Sequence, residues 1–170
     1  MEKIARSLAG FHLPRYQELP QLGLYLEQTA TYINQCLAPL ENVHLTSSMV
    51  SNYVKHDLIS SPKKKLYSQQ QIAELIFIAI SKNVLSLANL REALKLQRAS
   101  YDTETAYDYM ISELENVLAY VFGFKDELAE VGHEHGEYKT MLRNVIMTVS
   151  YKVYLDKYFA QFPDGGEEKK

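Results

Sequence analysis

Residues 45–82, LTSSMVSNYVKHDLISSPKKKLYSQQQIAELIFIAISK, decide the fold. They hold a short helix, a basic turn containing a proline and a nearly all-apolar helix. Thr46 can accept a hydrogen bond from an otherwise unpaired first-turn amide, so it caps a helix over SSMVSNYVKHDL. On that helix Met49, Val50, Tyr53 and Val54 share one face, while Ser48, Ser51, Asn52 and Lys55 recur at i, i+3, i+4 and i+7 on the other. One side packs, and the other is a row of hydrogen-bond formers ending in a cation. ISSPKKKLYS then reads as two short extended pieces around a turn. Ser68 followed by Gln71 is a serine-x-x-glutamine capping box. The helix it opens, QQQIAELIFIAISKN, is apolar almost all the way round and is the expected central core element.

Working outward, FHLPRYQELPQL carries Pro14 and Pro20 with apolar residues between them, which predicts an extended arm that packs. Leu22, Leu26, Ala30, Ile33 and Leu37 then repeat at helical spacing until Pro39. On the other side, Ser86 caps SLANLREALKLQ. Beyond Asp102 the residues Tyr107, Met110, Ile111, Leu114, Val117, Leu118 and Val121 keep a three-four spacing until Gly123. A loop, KDELAEVGHEHGE, leads to a last helix from about Glu137 to Phe159 with Leu142, Val145, Val149 and Val153 as its inner stripe, and PDGGEEKK reads as a disordered tail. The expected fold is mainly α: a winged helix-turn-helix region packed with a C-terminal helical bundle or hairpin. The expected units are 1–98, 99–162 and the tail 163–170.

A short helix preceded by another helix and a tight connection is the layout in which the second helix lies in a DNA major groove and offers polar side chains to base edges and phosphates. The same pattern also describes a solvated helix face, and a lysine run is often plain surface. Here Lys63, Lys64 and Lys65 follow Pro62 close to Lys55, with only Asp57 opposing them, so the two features support each other. The DNA-facing set is Thr46, Ser47, Ser48, Ser51 and Asn52 at the start and along the helix, Lys55 and Lys63 to Lys65 toward phosphates, and Tyr67 bracing the wing or stacking on a sugar.

The order of these elements resembles the winged helix-turn-helix domain of MerR-type transcription regulators. SNYVKHDLI looks like the end of their second helix and the turn into the wing, KKLYSQQQIAELIFI like a wing strand and the next helix, and ISKNVLSLANLREAL like the closing helix pair. That likeness covers Leu45 to Leu96. It departs at Ser51, where that family usually has arginine, and at Asp57, where it usually has glycine. LPRYQELPQLGLYLEQ, LTSSMVSNYVKHDLI, PKKKLYSQQQIAELIFI and KNVLSLANL together resemble the bacterial family called domain of unknown function 1836, itself regarded as MerR-like in its DNA-binding half. The resemblance implies a DNA-binding fold, brings no biochemical activity with it, and implies that the acidic C-terminal half belongs to the same unit.

Composition bounds the rest. A chain of 170 residues, 46% hydrophobic, has enough apolar content for a sizeable core. Its single cysteine, Cys36, excludes an internal disulfide framework and a thiolate-rich zinc site. Nowhere does it approach the roughly 18 consecutive apolar residues of a membrane span; we expect a soluble, cytoplasmic protein. The net charge of −3 hides an asymmetry: residues 1–98 carry eleven basic against seven acidic side chains, and 99–170 seven against fourteen. No glycine-rich phosphate cradle, nucleophile elbow or histidine-glutamate-x-x-histidine pair is present, so the expectation is no enzyme and no cofactor. His133 and His135, with Glu134 and Glu137, could ligate a metal only if a third group arrived from elsewhere. Late tyrosines, among them Tyr101, Tyr107, Tyr109, Tyr120, Tyr138, Tyr151, Tyr154 and Tyr158, suit either helix packing within one chain or a partner surface. The expected partners are double-stranded DNA and a second copy of the chain, with a protein or small effector at the C-terminal helices. The alternative function is a protein-interaction adaptor on the same scaffold, using its acidic, tyrosine-rich half.

Overall fold

The computed structural model describes residues 2–132 and 136–162. Seven α-helices occur among them: α1 Glu2–Arg6, α2 Leu26–Leu37, α3 Ser47–Lys55, α4 Gln69–Ser81, α5 Leu87–Ser100, α6 Thr103–Val121 and α7 Glu137–Phe159. Four of the starts, those of α3 to α6, follow local hydrogen-bond chemistry. The Thr46 hydroxyl accepts from the Met49 amide, Ser68 and Gln71 close their reciprocal box, and Ser86 and Asp102 accept from Asn89 and Thr105. The tail 163–170 and the His133–His135 cluster lie outside the described residues.

Every residue of α4 from Gln71 to Ser81 is buried, as its all-round apolar sequence demands, and α2, α5, α6 and α7 pack around it. The core is continuous and takes residues from the arm (Leu13, Leu19), from α3 (Val50, Tyr53) and from both C-terminal helices (Leu114, Val149). The arm is extended apart from a 3-10 turn at Tyr16–Glu18. It is laced to α6: Arg15 is bidentate to Glu115, the Tyr16 amide donates to Asp108, and the Tyr107 hydroxyl donates to the Pro14 carbonyl.

Four expectations are corrected. Leu22 is not on the face of a helix; it is 95% exposed, in a turn where Gly23 takes a φ of 79°. The connection between α2 and α3 is not tight. It runs from Ala38 to Thr46 through a 3-10 turn at Pro39, longer than the three or four residues of a compact helix-turn-helix. Asn34 fixes its far end by bonding both the amide and the carbonyl of Leu45, at 2.7 Å each.

The segment expected to form a wing, 59–68, has no strands among the described residues. Two isolated bridges stand there instead, Lys63 with Leu66 and Tyr67 with Leu24. Pro62 has no amide to donate to a ladder, and the Ser60 carbonyl is taken by the Gln71 side chain at 2.7 Å. Lastly, of the two C-terminal arrangements expected, a helical bundle or a hairpin, α6 and α7 do not form the hairpin. Tyr101 meets Tyr138, Glu113 meets Arg143 and Phe122 meets Tyr154, so position rises along both helices together and they run parallel. The connecting segment returns along α6, where the Asn116 side chain donates to the Ala129 carbonyl.

Candidate nucleic-acid interface

α3 is held by its buried face and presents the other. Val50 and Tyr53 are in the core, whereas Thr46, Ser48, Ser51, Asn52 and Lys55 are exposed and Ser47 is half-buried. Its C-terminus closes as a Schellman motif: the Asp57 amide donates to Val54, the Leu58 amide donates to Tyr53, and both Leu58 and Tyr53 belong to the core. That geometry needs a left-handed residue, and Asp57 supplies it at φ 56°. Asp57 thus adopts the conformation glycine would. Replacing it with glycine relieves the Cβ strain, so Asp57→Gly is expected to stabilise the fold by about 0.5–1 kcal/mol, read as a rise in urea midpoint at constant slope.

Two arginines that residue patterning did not single out secure the same end. Arg91 donates to the His56 carbonyl at 2.7 Å, and Arg98 donates to the Leu58 carbonyl at 2.9 Å while pairing with buried Glu74 at 3.0 Å. Their seven-residue spacing on α5 places both on one helix face, which is the signal that could have found them.

The basic turn lies beside this helix through a short chain of contacts. Lys63 and Leu66 close the turn, with Lys64 and Lys65 at φ 51° and 65°, the two positive values of a tight hairpin tip. Tyr67 then exchanges two backbone hydrogen bonds with Leu24, at 2.8 and 3.0 Å, which places the turn next to the first residues of α2. A wide groove follows, with Leu26 and Glu27 on one wall and Ser47, Ser48, Ser51, Asn52 and Lys55 on the other. Lys63, Lys64 and Lys65 are all exposed. Tyr67 is only 4% exposed, so its ring has almost no free surface on which to stack a sugar. Glu27 is the acid in the groove, and nothing in the apolar period of α2 points to it.

A family model described as a domain of unknown function (DUF1836) matches residues 14–110, more than half of the chain. The chain belongs to the DUF1836 family. No curated protein and no solved structure matches it. The DUF1836 match begins in the arm and ends inside α6, so it contains the whole groove, the basic turn and the two arginines behind α3.

Other chemistry is sparse. Among the described residues no group of three or more histidine, cysteine, aspartate and glutamate side chains could hold a metal ion, and no helix is long and apolar enough to cross a membrane. The cavity lined by Phe77, Leu94, Tyr107, Met110 and Tyr138, with Glu74 and Gln97, has about 20 Å³. That is room for a water, so a small effector would have to part the helices there.

Proposed function

We propose that this chain binds double-stranded DNA as a homodimer in the cytoplasm and regulates transcription, in the manner of a MerR-like helix-turn-helix. In this reading Ser48, Ser51 and Asn52 reach base edges from α3 in the major groove, and Thr46 and Ser47 contact the backbone near its start. Lys55 and Lys63 to Lys65 neutralise phosphates and release condensed counterions. The observation that supports it is the exposure of the entire polar face of α3 together with the lysine turn, which the C-terminal helices leave uncovered while packing on α4 and α5. The groove is wide and shaped by side chains on short, braced elements. Glu27 faces the same groove, where it repels phosphate but can accept from a cytosine amine.

The second reading, a protein-interaction adaptor, draws on the exposed aromatic side chains of α7 and the acidic C-terminal half. Fluorescence-anisotropy titration separates the two, using a random-pool duplex and selected sequences at two salt concentrations. The expected result is binding that weakens as salt rises, as counterion release requires. Absence of binding at low salt, by protein shown to be folded, would reject the regulator and leave the adaptor.

A further inference from the structure

Along the second half of α7 and just past its end, Tyr151, Leu155, Tyr158, Phe159 and Phe162 are 46, 49, 38, 62 and 60% exposed. Single exposed apolar residues are ordinary; a contiguous run of this size marks a contact surface. Within α7, Tyr151, Leu155 and Tyr158 are spaced four and three apart, the repeat of a coiled-coil seam. They lie on the side of α7 opposite its buried stripe of Val145, Val149 and Val153.

The patch is held in place before any partner arrives. Phe159 and Phe162 each pack on the Tyr158 ring, at 5.3 and 5.4 Å between centroids. Tyr158 stacks on Tyr154, which meets the buried Phe122 edge-on at 5.5 Å. An aromatic ladder therefore runs from the core to the surface, and little side-chain freedom remains to be lost on contact.

We propose that this stripe is the seam through which two copies of the chain pair around a two-fold axis. The proposal rests on the homodimer reading above and names its surface. Two observations select a second copy as the occupant. The charges beside the stripe, Lys152 and Asp156, already pair with each other at 2.7 Å. Their flank is neutral, so the surface can face its own image without repulsion, and it gives no attraction to a polyanion or to a strongly charged segment. The area also fits. Five large side chains, about half exposed at roughly 200 Å² each, offer roughly 500 Å² per copy. The pair would bury about 1,000 Å² before the flanking polar residues are included, which reaches the least a specific interface needs. The same helix turns Lys157 inward to Glu41, in the connection leading to α3, at 2.6 Å. Pairing at the seam would thereby set the separation of the two α3 helices.

The test is the molar mass of the full chain without DNA, by light scattering across micromolar concentrations. The wild type is expected to be a dimer. Leu155→Glu and Phe159→Glu are each expected to give a monomer with unchanged circular dichroism, and the milder Leu155→Ala to raise the dissociation constant about tenfold. A surface control on α5, Lys95→Glu, should stay dimeric. A monomeric wild type would overturn the seam together with the homodimer reading. A dimer that persists in both glutamate variants and is unchanged by Leu155→Ala would overturn the seam alone.

Discussion

Reversing Lys63 and Lys65 to glutamate together is expected to lower duplex affinity by at least about 100-fold at moderate salt and to reduce the slope of log affinity against log salt by about 2 for each copy bound, about 4 for a dimer. Each lysine stands in an exposed turn closed by backbone bonds, so its contribution to a complex is the phosphate it neutralises. Reversal removes two such contacts and adds repulsion in their place. The fold itself should change by no more than about 0.5 kcal/mol, since neither side chain is buried. Anisotropy at several salt concentrations reads both quantities. An unchanged salt slope in the variant would remove the turn from the DNA contact, even if some affinity were lost. Serine and asparagine changes on α3 should behave differently, altering discrimination between sequences while leaving the slope nearly as it was.

The largest effect on stability is expected at the α6–α7 contact. Glu113 is fully buried there, Asn116 stands beside its carboxylate, and Arg143 is its ion-pair partner at 3.3 Å. Burial pushes the Glu113 carboxyl above the usual carboxylate range, and Arg143 pulls it partly back. Arg143→Met strands the charge and should cost about 3 kcal/mol near neutral pH, whereas the same change in a Glu113→Gln background should cost under about 1 kcal/mol. The sign with pH follows from the raised carboxyl. Its stabilising share is complete below the unfolded value and is lost as pH rises through the folded one. Removing Arg143 raises the folded value further, so the deficit of Arg143→Met should be small in acid and grow toward neutrality. Urea midpoints at acidic and neutral pH, for both single variants and the double, measure this. A deficit independent of pH would show that Arg143 acts through its packing.

The local features of the fold were readable from the chain. Thr46, Ser68 with Gln71, and Ser86 act within one turn of helix, so residue type and spacing define them. The inner stripes of α6 and α7 were readable for the same reason, because a period of three and four exposes which side must be covered. Direction was not readable. A stripe looks the same whether its partner runs up or down, and the contacts that orient α7, such as Arg143 with Glu113, join residues far apart in sequence. The turn conformation at Lys64 and Lys65 was hidden too, since lysine does not advertise positive φ as Asn-Gly would. At the candidate interface the α3 face followed directly from spacing, while Glu27 and the bracing arginines depend on how three helices meet.

The parallel course of α6 and α7 has a consequence for the segment between them. After Gly123 the backbone must travel back along α6, whose 19 residues span about 28 Å, before α7 can begin at its own N-terminus. Fully stretched backbone covers at most about 3.5 Å per residue, so roughly eight residues is the least that can make the journey. Tolerance to length is therefore one-sided. Added residues cost only the slow logarithm of loop closure, whereas trimming to a turn of hairpin length would detach α7 from its place on the core.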